Sequence, residues 1–158
     1  MSTSGYSAGQ YWPSQSSGNL FDGHLTGAYT KHGYCDLTVS ATLLCGVNTG
    51  FYLTLNDGPF TLAGFYVGTE NVDTARDPLT CTIEGSNAAG GSLPTGSSWT
   101  LIYNGSTGID PDPGRNVYGA LQRISIASPP FKSYRFLVTS VRGYTTCTSY
   151  TELVMFVY

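Results

Sequence analysis

Short apolar segments broken by turn residues are the feature that most constrains how this chain can fold. No window places apolar residues three, four and seven positions apart behind a capping residue, which is the pattern of an amphipathic helix. Several windows instead alternate apolar and polar residues or are continuously apolar, as β-strands are. The clearest are FYLTL (51–55), FTLAGFYV (60–67), LTCTIEGS (79–86), SWTLIYN (98–104), LQRISIAS (121–128), YRFLVTSV (134–141) and TELVMFVY (151–158). The chain is therefore predicted to be an all-β domain with essentially no helix.

The same segments predict how the strands pair and which side chains face inward. The turn residues Asn56-Asp57-Gly58-Pro59 separate the first two segments, so we expect these two to form a hairpin. The last segment, 151–158, is apolar on both faces and is predicted to be a central strand. Strand alternation predicts a core lined by Leu53, Phe65, Ile83, Leu101, Ile124, Phe136, Val138 and Val154.

Length and charge bound the number of domains and the classes of partner. The 158 residues suffice for one domain, which we place at 20–158, with residues 1–19 as a polar arm packed on it. Lys and Arg number 7 against 10 Asp and Glu, and the cations are scattered singly. Nucleic-acid binding needs a clustered basic face, so we expect no nucleic-acid partner. No apolar run approaches the ~20 residues of a membrane span.

Four cysteines permit three pairings if all are oxidised. Cys35 and Cys45 flank a short stretch of Thr, Val and Leu, and a local disulfide between them is predicted. Cys81 falls on the inward face of its segment, where a thiol acts as a small apolar side chain. Cys147 could reach Cys81 only if the loop 142–149 folds back over the strand end.

Catalytic motifs are not found in the sequence. It contains no G-x-S-x-G elbow, no H-E-x-x-H and no phosphate-binding glycine loop. Asp110 and Asp112 could pair for acid–base chemistry or bind a cation, but the prolines between them are more typical of an extended, solvated loop. We therefore expect that the protein is not an enzyme.

Several blocks of the sequence resemble discoidin-type domains. The segment FDGHLTGAYT (21–30) is similar to their first conserved block, in which an Asp-Gly pair precedes an aromatic residue, here Asp22, Gly23 and Tyr29. DPLTCTIEGSN (77–87) and SSWTLIYNGS (97–106) resemble the family's strand, Gly-Ser-Asn turn and Trp-bearing strand, and PPFKSYRFLVTSVRG (129–143) and SYTELVMFVY (149–158) resemble its closing strands. The resemblance implies a galactose-binding-like fold, which is a jelly-roll β-sandwich of the coagulation factor V/VIII C-domain, discoidin and carbohydrate-binding module family 32 class. It also indicates a divergent branch.

The resemblance further implies a non-catalytic, lectin-like module of a secreted or surface protein whose partner is a glycan or glycoprotein. Such domains bind through loops at one end of the sandwich, and a chain rich in Tyr, Ser, Thr and Asn offers aromatic faces and neutral hydrogen-bonding groups there. The candidate ligand contacts, all expected on loops, are Tyr29, His32, Arg76, Arg115, Tyr118 and Arg142. For each, the alternative is a rim residue that packs a turn. These loops lack the bare apolar tips of lipid-binding relatives, so we expect no membrane insertion.

A structural calcium ion is also implied by the resemblance. Carbohydrate-binding relatives often hold Ca²⁺ with the first-block Asp, backbone carbonyls, a Thr and the Glu of the final strand, which correspond here to Asp22, Thr26 and Glu152. His24 and Gly27 stand where relatives offer further oxygens. The alternative is a metal-free loop whose shape is held by hydrogen bonds from backbone amides to Asp22.

A second reading of the function is self-association. Only 11% of the residues of the chain are charged, so its surface does little to repel copies of itself, and the sandwich could also serve as a structural subunit of a virion or an extracellular fibre. The sequon Asn104-Gly105-Ser106, expected in a turn, favours an extracellular or cell-surface location over a virion interior.

Overall fold

The computed structural model describes residues 11–12, 14–31, 45–94, 96–125 and 128–158. Its strands in chain order are β1 (Tyr29–Lys31), β2 (Gly50–Thr54), β3 (Leu62–Val67), β4 (Pro78–Ser86), β5 (Thr100–Ser106), β6 (Gln122–Arg123), β7 (Ser133–Val141), β8 (Thr148–Tyr150) and β9 (Leu153–Val157). The helical turns in these ranges are short and of the 3₁₀ type: Ser17–Leu20, Thr74–Arg76, Gly90–Ser92 and Gly96–Ser98. The prediction of an all-β domain is confirmed. None of the described turns is long and apolar enough to cross a membrane.

The strands form two main antiparallel sheets that pack face to face. One sheet has the order β2-β7-β4-β5, and the other has the order β6-β3-β9. Phe65 of β3 joins them: its ring centroid lies 6.3 Å from that of Phe136 on β7 and 5.2 Å from that of Tyr103 on β5. The core therefore lies between the two sheets, and the predicted jelly-roll sandwich is confirmed.

A third, two-stranded sheet, β1-β8, closes the core beside β2. Tyr29 of β1 lies opposite Tyr150 of β8, and their buried rings meet edge to face at 5.4 Å. The N-terminal arm joins this sheet, because the backbone N–H of Trp12 donates to the carbonyl of Thr30 (3.0 Å) and Tyr11 forms a bridge with Lys31. The described residues of the arm thus contact the body of the domain.

Most of the predicted core residues are buried, but two face outward. Phe65, Ile83, Ile124, Phe136 and Val138 are buried, and Leu53 packs half-buried against them. Leu101 was expected in the core and is 54% exposed, because the register between β4 and β5 shifts at Ile83 and Glu84. Val154 was also assigned to the wrong face, since Leu153 and Met155 are the residues of β9 that pack on the core.

The predicted hairpin is wrong. β2 pairs with β7, whereas β3 pairs with β6 and β9, so the turn at 56–59 carries the chain from one sheet to the other. The prediction that the last segment is a central strand is also wrong: in the described ranges β9 pairs with β3 alone, and Phe156 and Val157 are exposed. Turn residues specify a reversal of direction, but they do not specify which strand becomes the partner.

The outer face of the larger sheet is covered by a loop. Glu84 and Arg135 form a buried ion pair there, beneath the ring of Trp99, whose centroid lies 4.8 Å from the guanidinium carbon of Arg135. The indole N–H of Trp99 donates to the carbonyl of Leu93 (2.8 Å), which fixes the loop over the pair. The loop therefore covers the ion pair, while Tyr52 and Leu101 on the same face remain exposed.

Candidate functional site

Three loops, which follow β3, β5 and β7, meet and are bound to one another by hydrogen bonds. The backbone N–H of Thr69 donates to the carbonyl of Val117 (2.9 Å), which joins the first loop to the second. The N–H of Arg142 donates to the carbonyl of Asp77 (3.0 Å), which joins the third loop to the first. These contacts make one rigid surface out of segments that are far apart in the sequence.

Asp77 is the centre of this surface. Its side chain is fully buried directly before β4, and Arg115 binds it in bidentate fashion, with Nη1 and Nη2 each 2.8 Å from one carboxylate oxygen. Nε of Arg142 donates to Oδ2 of the same carboxylate at 3.2 Å. A buried carboxylate is costly unless it is paired, and a bidentate guanidinium also fixes the geometry of the pair. Asp77, Arg115 and Arg142, which we call the Asp77 cluster, therefore hold the three loops in place.

The two arginines of the Asp77 cluster differ in the donors that remain to them. Nη1 of Arg115 donates to Asp77 and to the carbonyl of Glu70 (3.4 Å), and Nη2 donates to Asp77 and to Asp112 (2.6 Å). Arg142 uses one N–H of each nitrogen, to Asp77, Asp110 (3.4 Å) and the carbonyl of Ile109. Since a guanidinium carries five N–H groups, Arg142 keeps two for other partners, whereas both terminal nitrogens of Arg115 are saturated.

The charges at this cluster stabilise one another. Hydrogen bonds to Asp77 raise the pKa of the Arg115 guanidinium further above its usual value, so it stays charged. The backbone N–H of Gly114 and then the side chain of Arg115 hold the pKa of Asp112 below its usual range. Arg115 and Asp112 are therefore both charged near neutral pH.

Arg76 lies at the edge of the same surface. It ends the 3₁₀ turn Thr74–Arg76, which Asp73 caps by accepting from the N–H of Ala75 (3.0 Å). Its Nε lies 3.2 Å from Oδ2 of Asp73, and its Nη1 lies 4.0 Å from Oε1 of Glu70. About a third of the side chain remains open to solvent, so Arg76 can still donate outward.

Tyr118 is an exposed aromatic residue beside the Asp77 cluster. Its side chain is 40% exposed, and its backbone pairs with Gly68 of the first loop. Partial burial and then the charge of Glu152 raise the pKa of its phenol. The backbone of Tyr118 is thus joined through Gly68 to Glu152, since the N–H of Gly68 donates to the carbonyl of Glu152 (2.8 Å), and Glu152 forms an acidic pair with Asp22.

The acidic pair joins the loop after residue 21 to the start of β9. Oε1 of the buried Glu152 accepts from the backbone N–H groups of Gly23 (2.7 Å) and His24 (3.2 Å), and Oδ1 of Asp22 accepts from His24 as well (2.8 Å). Burial raises the pKa of Glu152 and the neighbouring Asp22 carboxyl raises it further, while the two N–H groups act in the opposite direction. One hydrogen bond from a backbone N–H to Asp22, of the kind expected of a metal-free loop, is thus present.

The acidic pair also suits part of a hard-cation site. Carboxylate oxygens are the preferred ligands of Ca²⁺, and the carboxylates of Asp22 and Glu152 lie close together, since both accept from the backbone N–H of His24. Thr26 lies exposed on the same loop. The described residues contain no group of three or more His, Cys, Asp and Glu side chains placed to hold a metal ion, so further ligands would be hydroxyl and backbone oxygens.

Some of the residues predicted from the sequence lie elsewhere. Tyr29 was expected on a loop, but it is a buried residue of β1 whose hydroxyl donates to the carbonyl of Gly50 (3.0 Å), so its ring is not available to a ligand. His32 and Cys35 lie outside the described residues, and the Cys35–Cys45 disulfide stays a prediction. Cys81 and Cys147 are buried free thiols, so the open question of a bridge between them is answered.

The structure brings Arg115 and Arg142 together on Asp77, links Arg76 to Arg115 through Glu70, and joins Tyr118 to the same loops through its backbone bridge to Gly68. Sequence reasoning missed Asp77, the residue that organises them. Asp77-Pro78 looks like any Asp-Pro pair before a strand. Only the fold brings positions 115 and 142 to it, so no local signal could have identified its role.

Comparison with known proteins bears on the fold. No protein-family model matches the chain, and no curated protein matches it significantly. The solved structures similar to it include carbohydrate-binding module CBM32-3 from a family 31 glycoside hydrolase of Clostridium perfringens, with a TM-score of 0.65, 14% identity, and coverage of 95% of this chain and 87% of that one. The family 32 module of NanJ from C. perfringens, solved with galactose, has a TM-score of 0.63, 11% identity, and coverage of 94% and 90%.

A third similar structure is chitosan-binding module 1 of a chitosanase/glucanase from Paenibacillus sp. IK-5, with a TM-score of 0.57, 18% identity, and coverage of 92% and 87%. These modules share the arrangement of strands over nearly the whole chain. The fold is galactose-binding-like. At identities this low the galactose-binding-like fold is what the likeness establishes, and the fold alone does not assign a ligand.

Proposed function

We propose that this protein is a carbohydrate-binding module, without catalytic activity, of a secreted or surface protein. The observation that carries the proposal is the exposed ring of Tyr118 beside the Asp77 cluster, in which two arginines are held rigidly on a buried carboxylate. A rigid polar surface with one open aromatic ring is suited to a sugar, because the ring covers the apolar C–H face while fixed donors meet the hydroxyls.

Each side chain of the surface has its own part in the proposal. Tyr118 stacks on the sugar ring, and Arg142 and Arg76 donate hydrogen bonds to hydroxyls, since both keep free N–H groups. Arg115, whose terminal nitrogens are saturated, is a positioning residue. This assignment differs from the sequence-based hypothesis, which gave Arg115 the same role as the other arginines.

The similar structures support a glycan as the class of ligand. One was solved with galactose, and another is described as a chitosan-binding module. Both have the same fold as this chain, and loops of this chain supply the polar and aromatic groups that such a ligand requires. Sugar hydroxyls exchange bonds to water for bonds to protein, so each one contributes little net free energy and weak affinity is expected.

A glycan array probed with the isolated domain tests the proposal. The expected result is binding to a restricted set of glycans, galactose- or glucosamine-containing glycans among them. An array with no bound glycan, together with no heat of binding to galactose or chitosan oligomers in calorimetry, would overturn the proposal. Size-exclusion chromatography with light scattering on the same sample, without ligand, records the oligomeric state.

Self-association is retained as a second candidate because of strand β5. In the described ranges β5 is an edge strand of the larger sheet, it contains no charged residue, and Leu101 on it is exposed. Unprotected edges of this kind can pair with another copy. An assembly subunit would elute as an oligomer without ligand, and Leu101→Lys would dissociate it, whereas a module would elute as a monomer in both forms.

We also propose that Asp22 and Glu152, with Thr26, hold a structural Ca²⁺. The support is the acidic pair itself, in which a buried carboxylate lies beside a second one. A bound ion would add to the tie between the loop at 22–26 and β9 that Glu152 already makes through two backbone N–H groups.

A further inference from the structure

The outer face of the β6-β3-β9 sheet carries three aromatic rings in a row. The ring centroid of Tyr66 lies 6.0 Å from that of Tyr118 and 5.5 Å from that of Phe156. Phe156 is 43% exposed, and Tyr118 is 40% exposed. We call these three residues the aromatic strip.

The strand register explains why the strip faces solvent. Phe65 packs into the core, so its neighbour Tyr66 points to the other face of the sheet. Tyr66 lies opposite Val154, and Phe156 lies opposite Gly64, which has no side chain. A Cβ at Gly64 would approach the carbonyl oxygen of Gln122 to 2.7 Å, so this position is restricted to glycine, and Phe156 has no side chain directly opposite it on β3.

We infer that the aromatic strip binds an extended glycan chain that continues from the sugar at Tyr118 along the sheet. The inference rests on the proposed function, because Tyr118 belongs both to that surface and to the strip. It names the class of ligand: a chain of several sugar units, contacted beyond its first unit, in place of a single terminal sugar. The ring-to-ring spacing is comparable with the length of one hexopyranose unit along such a chain.

The geometry of the strip favours a single chain over a flat surface or a second copy. The ring planes are tilted by 50° between Tyr66 and Tyr118 and by 77° between Tyr66 and Phe156, so they cannot lie flat on one planar face at once. A stable protein interface takes about 800 Å² from each partner, which corresponds to roughly 20–30 residues a side, and three rings supply far less. None of the three residues is charged, so the strip contacts a sugar chain through its ring faces and not through charge.

Calorimetric titration with oligosaccharides of increasing length tests the inference. The probes are galactose and glucosamine, each with its β-1,4-linked series up to the hexasaccharide. For the wild-type domain we expect the affinity to rise by about tenfold between monosaccharide and trisaccharide, which corresponds to ~1.4 kcal/mol. Phe156→Ala should remove most of this rise and leave the affinity for the monosaccharide unchanged. Tyr52→Ala, on the opposite sheet, should behave as the wild type.

The outcomes separate the two proposals. Monosaccharide binding with no dependence on length, or an unchanged dependence in Phe156→Ala, overturns the aromatic strip and leaves the proposed function in place. No binding in either series overturns both. If the wild type is a dimer that Phe156→Ala converts to a monomer, the strip is an interface between copies, and the inference is wrong. An unchanged melting temperature of Phe156→Ala confirms that the variant is folded.

Discussion

At the scale of single residues, the Asp77 cluster links the fold to the candidate site. Asp77 is fully buried and neutralised by arginines from two different loops, so its ion pairs both stabilise the domain and set the shape of the surface beside Tyr118. One carboxylate therefore couples the stability of three loops to their binding geometry.

Removing one partner of Asp77 should destabilise the domain. Arg115→Ala leaves the buried carboxylate with Arg142 alone, and breaking a buried pair in this way costs on the order of 3 kcal/mol. Urea unfolding measures the change, with Arg123→Ala as the control because Arg123 is an exposed residue of β6 and its loss should cost no more than ~0.5 kcal/mol. Equal losses in the two variants would contradict the role given to Asp77.

The thiols make a second residue-scale prediction. Burial raises the pKa of the Cys81 and Cys147 thiols, so both stay protonated and unreactive in the folded protein. Iodoacetamide should label neither residue in the native state and both after unfolding without reductant. Cys35 and Cys45 should become labelled only after reduction if the predicted disulfide forms, and mass spectrometry of the peptides reads each site. Labelling of all four thiols without reductant would rule the disulfide out.

At the scale of elements, the sequence predicted where strands occur better than how they pair. All of the strand-like segments except 121–128 form strands over much of their length, since alternation is a local signal. The register between two strands is not a local property. The shift at Ile83 and Glu84 turns the side chain of Leu101 outward, and no residue type in β5 predicts this shift. In 151–158 both faces are apolar, because one packs on the core and the other carries Phe156, so periodicity could not choose between them.

The corrected register of β9 predicts an asymmetry between adjacent residues. Leu153 is buried in the core, so Leu153→Ala should lower the free energy of unfolding by about 2–5 kcal/mol through lost burial and the cavity left behind. Val154 is half-buried on the outer face, and Val154→Ala should cost less than half as much. Urea unfolding of the two variants decides the register, and a larger loss for Val154→Ala would restore the original assignment.

At the scale of the whole molecule, the sequence resemblance identified the sandwich and several of the residues that meet on its loops. Arg76, Arg115, Tyr118 and Arg142 were all named from their positions in the matching blocks and loops, and they lie on loops that hydrogen bonds and ion pairs join to one another, while their role in binding stays a prediction. Tyr29 was predicted to lie on a loop and contact the ligand, but the end of segment 21–30 forms β1, where the ring of Tyr29 is buried in the core. The sequence could not predict which arginines keep N–H groups free for a ligand, because that depends on the hydrogen bonds that each guanidinium makes in the folded protein.

Calcium should stabilise the domain as a whole if the acidic pair holds it. At 100 times its dissociation constant, a bound ion adds about 2.7 kcal/mol and should raise the melting temperature by about 5–10 °C over that in excess EDTA. Differential scanning fluorimetry measures this shift. Glu152→Gln is the matched control, because the amide oxygen can still accept from Gly23 and His24 while the charge is lost, and it should abolish the response. Identical melting curves of the wild type in Ca²⁺ and EDTA would show the loop to be metal-free.

The central claim is that a glycan binds at Tyr118 beside the Asp77 cluster, and calorimetric titration of two tyrosine variants tests it most directly. Tyr118 and Tyr52 are exposed to a similar degree, 40% and 49%, on different sides of the sandwich. With a glycan identified on the array, Tyr118→Ala should weaken binding by about tenfold or more, which corresponds to at least ~1.4 kcal/mol. Tyr52→Ala should bind as the wild type does, and neither variant should change the melting temperature appreciably. If Tyr118→Ala retains full affinity, or Tyr52→Ala loses as much as Tyr118→Ala, the ligand does not bind at this surface.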